Sequence, residues 1–159
     1  MNVKDVALLT RKVLNDANLY SEQAFDLMMG TAAQESNFQY LYQQGGGPGR
    51  SFWQVEPRTA QDNIQNYILA RSELSEALLK ACFMAGWSTN QEVIQAQLER
   101  NFAFALCMAR IRYYRVKDAI PLLPEHQAAY WKQHYNTPAG SGTASEYLKN
   151  YNRFCGAWK

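Results

Sequence analysis

The segment from Glu22 to Glu35 constrains the fold more than any other part of the chain, because it is apolar on almost every face. Its apolar residues are Ala24, Phe25, Leu27, Met28, Met29, Ala32 and Ala33. A helix that is apolar all round must be buried among other elements. Ser21 is a favourable N-cap, and Glu22 and Asp26 suit the positive end of a helix dipole. We therefore predict a buried helix that ends at the carboxyl group of Glu35.

Helical spacing of apolar residues predicts further helices along most of the chain. We expect them at about residues 3–19, 57–70, 73–85, 90–115, 125–135 and 144–154. The longest, capped by Thr89 or Asn90, contains the apolar run Phe102 to Ala109. The sequence thus predicts a mainly α fold, a single domain over residues 1–159, with about eight helices around a long central helix and little or no sheet.

Residues 36–51 form a predicted loop, because the stretch from Gly45 to Arg50 (GGGPGR) cannot continue a helix or a regular strand. The stretch lacks the Gly-Lys-Ser/Thr ending of a phosphate-binding loop, and no apolar strand precedes it. Its glycines instead allow the backbone to approach a bound chain closely. Residues 51–55 are either extended or a single turn. We interpret the loop as the flexible rim of a cleft.

Composition and charge limit the classes of partner. Hydrophobic residues make up 47% of the chain and charged residues 19%, which is typical of a folded globular protein. The net charge of +2 fits an anionic polymer but is too small to indicate nucleic acid. The basic stretch Arg110, Arg112, Arg115 and Lys117 simply suits a helix C-terminus. We expect no nucleic-acid partner and a monomer.

Neither a membrane span nor a secretory signal is predicted. The run from Phe102 to Ala109 is far shorter than the roughly 20 residues that span a bilayer. The first 14 residues, MNVKDVALLTRKVL, mix charges into their apolar positions and show no cleavage site. We therefore expect synthesis in the cytoplasm, with another factor delivering the protein to any substrate outside it.

Cysteine and histidine patterns indicate no metal site and no other cofactor. Cys82, Cys107 and Cys155 are widely spaced, and no CxxC pair occurs. His126 and His134 lie eight residues apart, without the HExxH pattern of zinc proteases. Free thiols are expected, although the sequence leaves one disulfide open.

Glu35 stands out among the fourteen acidic residues, because it ends an apolar segment and precedes a loop rich in glycine and aromatic residues. A carboxyl there is partly desolvated and close to the negative end of a helix dipole, and both effects raise its pKa. Such a group can donate a proton near neutral pH, as glycosidic cleavage requires. The alternative is an ordinary surface glutamate at a helix end.

Two sequence blocks carry a family resemblance. The first comprises Gln34 to Phe38 (QESNF), Gly47 to Pro57 (GPGRSFWQVEP) and Thr59-Ala60. It resembles the signature of the soluble lytic transglycosylase and goose-type lysozyme group of the lysozyme-like superfamily. The resemblance implies that Glu35 is the catalytic acid, Ser36 the serine beside it, and Gln54 a glutamine lining the floor of the site. Residues 50–53 depart from the Gly-Leu-Met that usually precedes that glutamine.

The second block, Ala128-Ala129-Tyr130 followed by Tyr135-Asn136, is similar to the Ala-Tyr-Asn element of the same family. Either Tyr130 or Tyr135 can be the tyrosine that approaches Glu35, and we favour Tyr135. Residues 131–148 also resemble segments of bacteriophage-encoded lysozyme-like proteins. Trp53 and Tyr130 either stack on sugars or pack in the core.

The resemblance implies cleavage of the β-1,4 bond between N-acetylmuramic acid and N-acetylglucosamine in peptidoglycan. A single carboxyl suffices if the substrate's N-acetyl group is the nucleophile, whereas Glu56 or Asp62 is a candidate second acid. Water as acceptor gives hydrolysis, and the C6 hydroxyl gives a 1,6-anhydro product. We expect a phage endolysin or virion-associated lysin that acts on the cell wall in the periplasm. A non-catalytic binding module and a chitinase-like glycosidase remain alternatives.

Overall fold

A computed structural model describes all residues, 1–159, and contains eight α-helices. They are α1 (Val3–Asp16), α2 (Glu22–Ser36), α3 (Pro57–Asn63), α4 (Ser72–Ala81), α5 (Gln91–Arg100), α6 (Phe102–Tyr114), α7 (Pro124–Trp131) and α8 (Ala144–Phe154). No strand forms, and two isolated bridges join Arg50 to Tyr42 and to Val55. The predicted mainly α class is therefore confirmed. None of the helices is long and apolar enough to cross a membrane.

Helix α2 is buried, as its all-round apolar sequence predicts. The Ser21 hydroxyl accepts a hydrogen bond from the amide of Ala24 at 3.0 Å, which confirms the expected N-cap. Asn37 ends the helix in the left-handed region, with φ at 51°. Helices α1, α6, α7 and α8 all pack against α2. The carboxyl of Glu35 thus projects from the last turn of a helix that the rest of the fold holds in place.

The predicted long helix over residues 90–115 is wrong, because Asn101 divides it into α5 and α6. Asn101 adopts an extended conformation, with φ −116° and ψ 101°. Its side-chain oxygen accepts from the amide of Phe104 at 3.0 Å, and its side-chain amide donates to the carbonyl of Cys82 at 3.0 Å. Asparagine competes well for such capping bonds, and here they replace one continuous helix by two.

Two predicted helices end in π-helical turns. α3 continues through a π turn at Ile64–Ile68, and α7 continues through another at Lys132–Asn136. A π turn adds a residue to the helical turn and is frequent at functional sites. The second one changes the direction in which Tyr135 and Asn136 project, relative to a regular helix.

Asp26 anchors the C-terminal end of the chain to α2. Its buried carboxylate accepts from the Tyr151 hydroxyl at 2.8 and 2.9 Å and from the Trp158 indole at 3.0 Å. The ammonium of Lys159 lies 3.1 Å away. Asp26 is therefore a buried hydrogen-bond acceptor as well as an acid near the start of a helix. The three cysteines are free thiols, as expected.

Candidate functional site

A polar cleft of about 500 Å³ opens at the end of α2, with Glu35 in its wall. The other residues that line it are Tyr40, Gln43, Gln44, Gln54, Glu56, Thr59, Arg112, Tyr135, Asn136 and Thr137. They come from the loop after α2, from α3 and α6, and from the π turn after α7. The cleft therefore brings together parts of the chain that are distant in sequence.

The carboxyl of Glu35 is mostly enclosed by protein but keeps access to the cleft. The indole Nε1 of Trp131, the last residue of α7, donates to its Oε1 at 3.0 Å. Burial raises the pKa of Glu35 from 4.5 to about 7, while the Trp131 bond and the charge of Arg112 act in the lowering direction. The expected desolvation is thus confirmed, and two groups of the site partly oppose it.

A carboxyl with a pKa near 7 is suited to proton transfer in both directions at neutral pH. It retains its proton in a large fraction of molecules, so that it can act as an acid. Once ionised, it can act as a base, because the indole donor and the Arg112 charge stabilise the carboxylate. The environment of Glu35 therefore supports general acid and general base roles for one group.

Tyr135, rather than Tyr130, lies in the cleft with Glu35. Its hydroxyl donates to the carbonyl of Trp53 at 2.5 Å. Burial raises the pKa of Tyr135, and the nearby charge of Glu35 raises it further, so the phenol stays neutral. Tyr130 instead donates to the carbonyl of Asp118 at 3.0 Å and packs, largely buried, outside the cleft.

The loop after α2 forms part of the wall of the cleft and is held by several backbone and side-chain hydrogen bonds. The backbones of Arg50 and Val55 exchange two hydrogen bonds, of 3.0 and 2.9 Å. Gln54 adopts a left-handed conformation, with φ at 50°, and its side-chain amide donates to the carbonyl of Ser51 at 2.7 Å. The Arg50 guanidinium lies 3.0 Å from the carboxylate of Glu99 on α5. These contacts hold Gln54 in the wall of the cleft that it shares with Glu35.

Gly49 packs closely against the side chains of Gln43 and Gln54. A β-carbon at this position would lie 3.0 Å from the side-chain oxygen of Gln54 and 3.1 Å from that of Gln43. The Gly49 amide donates to the same Gln43 oxygen at 2.9 Å. The Gly49 amide therefore helps to hold the Gln43 side chain in the cleft, and the two nearby glutamine oxygens leave little room for a larger residue at position 49.

Trp53, Tyr130 and Ser36, predicted to bind substrate, do not line the cleft. Trp53 is fully buried, its indole donates to the carbonyl of Met28 at 2.9 Å, and its ring packs edge-on against Phe102. The Ser36 hydroxyl donates to the carbonyl of Ala32 at 3.0 Å and is also fully buried. Of the two alternatives expected for Trp53 and Tyr130, the structure has the one in which both rings are buried. The substrate contact expected for Ser36 is not found, because its hydroxyl is buried and bonded inside α2.

Of the two candidate second acids, Glu56 lines the cleft and Asp62 does not. Glu56 is exposed and precedes α3 without capping it through its side chain. Asp62 lies 2.7 Å from the guanidinium of Arg115 and accepts from Asn66 at 2.7 Å. Of these two acids, only Glu56 therefore shares the cleft with Glu35.

Sequence reasoning missed the contribution of Arg112, which it assigned to the end of a helix dipole. Arg112 faces the cleft, stacks over the Tyr135 ring at 4.5 Å and donates to the Tyr135 carbonyl. Arg110, two residues earlier, is buried and donates to the carbonyl of Leu19 at 3.2 Å. No sequence signal separates these two arginines, because their directions depend on how α6 packs.

The structure contains no group of three or more histidine, cysteine, aspartate or glutamate side chains that could hold a metal ion. Comparisons of the chain with protein-family models, with curated proteins and with solved structures give no match.

Proposed function

We propose that the protein cleaves the β-1,4 bond between N-acetylmuramic acid and N-acetylglucosamine in peptidoglycan, with Glu35 as general acid and then general base. The observation that carries this proposal is the position of Glu35. Its pKa is raised to about 7, and it lines a polar cleft of about 500 Å³. Glycosidases require an acid that is still protonated near neutral pH.

The proposed reaction begins when Glu35 donates its proton to the glycosidic oxygen. The carbonyl oxygen of the substrate's N-acetyl group attacks the anomeric carbon, and the bond to the protonated oxygen breaks. Ionised Glu35, stabilised by the Trp131 indole, then takes a proton from the acceptor as the acceptor attacks the anomeric carbon. The bond between the anomeric carbon and the N-acetyl oxygen breaks in this second step, which restores the acetamide group and returns Glu35 to its protonated form. Water as acceptor gives a reducing sugar, and the C6 hydroxyl of the same sugar gives a 1,6-anhydro end.

The remaining lining of the cleft supports binding of a glycan. Gln43, Gln54 and Asn136 supply amide groups, and Thr59 supplies a hydroxyl. Such groups form hydrogen bonds with sugar hydroxyls and N-acetyl groups. The volume of about 500 Å³ lies in the range of roughly 300–1,000 Å³ that is typical of ligand sites.

We further propose that the chain is a lysozyme-like protein of the lytic transglycosylase and goose-type lysozyme group. Glu35, Gln54 and Tyr135, which come from two separate sequence blocks, line one cleft, and this convergence supports the proposal. A phage endolysin or a virion-associated lysin, acting on the cell wall in the periplasm, is the biological role that fits the resemblance.

The test is digestion of purified peptidoglycan followed by mass spectrometry of the released fragments. Soluble disaccharide-containing fragments with a muramic acid end support the proposal. Fragments one water lighter than the hydrolytic ones identify the 1,6-anhydro route. If the wild-type protein binds peptidoglycan but releases no fragment, the catalytic proposal fails and a non-catalytic binding module replaces it.

A second candidate function is a chitinase-like glycosidase that uses two carboxylates, and Glu56 in the same cleft favours it. The Glu56→Gln variant separates the two mechanisms. A single-acid enzyme retains activity on peptidoglycan within about tenfold, whereas a two-carboxylate enzyme loses it almost completely. Cleavage of chitin oligomers in preference to peptidoglycan would assign the protein to this second function.

A further inference from the structure

Three arginines line a second pocket, of about 370 Å³, beside the Glu35 cleft. They are Arg58, Arg112 and Arg115, and none of the pocket residues is hydrophobic. Arg112 and Thr59 line both this pocket and the Glu35 cleft. A polymer bound at Glu35 can therefore extend a substituent into the arginine pocket.

The arginine pocket carries an excess of positive charge. Asp62 is its only acid and pairs with Arg115 at 2.7 Å. Neither Arg58 nor Arg112 forms an ion pair with a carboxylate. With three positive charges against one negative charge, the pocket is positive overall, and the charge of Arg58 is neither paired with Asp62 nor among the charges that act on Glu35.

Two of the guanidinium groups are held in fixed positions. Arg112 stacks over the Tyr135 ring at 4.5 Å and is bonded to the Tyr135 carbonyl. Arg115 also donates to the side-chain oxygen of Asn63 at 3.1 Å, and buried Asn63 is itself bonded to the carbonyl of Met108 at 2.9 Å. A planar guanidinium held in this way is suited to bidentate binding of a carboxylate.

We propose that the arginine pocket binds carboxylates carried by the substituent on O3 of the substrate's muramyl residue. This inference rests on the proposed function and specifies its substrate class. Muramic acid differs from N-acetylglucosamine by an O3-lactyl group, which either ends in a carboxylate or continues into a peptide with further carboxylates. Chitin has no such group, so the pocket would make the enzyme prefer peptidoglycan.

The experiment measures binding without cleavage, in a Glu35→Gln background, by sedimentation with three insoluble or immobilised materials. These are peptidoglycan with its peptides, the same material with its carboxyls converted to neutral amides, and glycan strands stripped of peptides. Arg58→Gln is added as the test substitution, because Arg58 is exposed and makes no side-chain hydrogen bond that folding needs. Arg153→Gln is the matched control, an exposed arginine of α8 outside the pocket.

We expect Arg58→Gln to weaken binding to native peptidoglycan about fivefold at low salt, as for the loss of one exposed charge pair. Binding to the amidated material should be unchanged by Arg58→Gln, and Arg153→Gln should leave all three affinities unchanged. If Arg58→Gln weakens binding to the stripped strands, the lactyl carboxylate is the ligand. If it weakens binding only to the peptide-bearing material, the peptide carboxylates are the ligand.

Equal affinity of the Glu35→Gln protein for native and amidated peptidoglycan would overturn the inference. An equal change in affinity on Arg58→Gln and on Arg153→Gln would overturn it as well. Cleavage by the wild-type protein is measured in parallel on native peptidoglycan. Normal cleavage without carboxylate-dependent binding overturns only the arginine pocket inference. Carboxylate-dependent binding without any cleavage overturns the proposed function instead.

Discussion

The indole Nε1 of Trp131 donates a hydrogen bond of 3.0 Å to Oε1 of Glu35, and this bond joins the end of α7 to the end of α2. Burial raises the pKa of Glu35, and the indole bond acts against that rise. The pKa near 7 is thus a balance between burial, which raises it, and the Trp131 bond and the Arg112 charge, which lower it. Trp131 lies 96 positions away from Glu35 in the chain.

Trp131→Phe should move the pKa of Glu35 above 7. The indole donor stabilises the ionised carboxyl, and a hydrogen bond to a charged group contributes about 1.5 kcal/mol, which corresponds to roughly one pKa unit. The alkaline limb of the pH–rate profile should therefore move to higher pH by about one unit. Thermal melts of the variant separate this effect from loss of packing, since Trp131 is also buried. An unmoved alkaline limb in a folded variant would contradict the role of the indole.

Glu35→Gln should stabilise the fold at alkaline pH and have little effect at pH 4. The folded-state pKa of about 7 lies above the ordinary glutamate pKa of 4.5, so the folded protein binds the proton more tightly than the unfolded chain does. The contribution of Glu35 to the free energy of unfolding is therefore fully present below about pH 4.5, and it is lost as the pH rises through about 7. The amide cannot ionise, so the variant should gain about 2–3 kcal/mol over wild type at pH 8. Urea unfolding at both pH values measures this difference, and an equal difference at pH 4 and pH 8 would count against the raised pKa.

The sequence was sufficient to predict α2 and the desolvated position of Glu35 at its end, because both depend on local patterns. The all-round apolar segment, the Ser21 cap and the position of Glu35 after that segment are visible without knowledge of the fold. The break at Asn101 was not predictable, because it depends on a hydrogen bond to the distant carbonyl of Cys82.

The side chains around Glu35 were harder to predict than the acid itself. Trp53 and Tyr135 are both aromatic residues in matching sequence blocks, yet one is in the core and the other lines the cleft. The direction of Tyr135 depends on the π turn after α7, which no propensity indicates. The direction of the Arg112 side chain depends in the same way on how α6 packs.

Asn101→Ala should destabilise the protein by about 1–2 kcal/mol, because it removes the cap of α6. Asn101→Asp keeps an oxygen that can accept from the Phe104 amide but loses the donor to the Cys82 carbonyl. The aspartate variant should therefore lose less stability than the alanine variant in chemical unfolding. If both variants match wild type, the division between α5 and α6 does not depend on this side chain.

Gly30→Ala should destabilise the protein by about 1–3 kcal/mol, as overpacking of a core does. A β-carbon on Gly30 would lie 2.1 Å from the hydroxyl oxygen of Tyr147 and 2.6 Å from its Cζ, so α2 and α8 would have to separate. Gly86→Ala is the matched control, because a β-carbon there meets no atom within 4 Å. Thermal melting should show a lower Tm for Gly30→Ala than for the wild-type protein, and an unchanged Tm for Gly86→Ala. Equal Tm values would mean that the two helices are not in this close contact.

The most direct test of the central claim compares fragment release from peptidoglycan by the wild-type protein, Glu35→Gln and Glu76→Gln, at equal concentration and pH 7. Glu76 is an exposed glutamate of α4 outside the cleft, and its substitution makes the same chemical change. Loss of the proton donor should lower the rate by about 10²–10⁴-fold in Glu35→Gln, while Glu76→Gln retains full activity. Equal fragment release by wild type and Glu35→Gln would contradict the assignment of Glu35 as the catalytic acid.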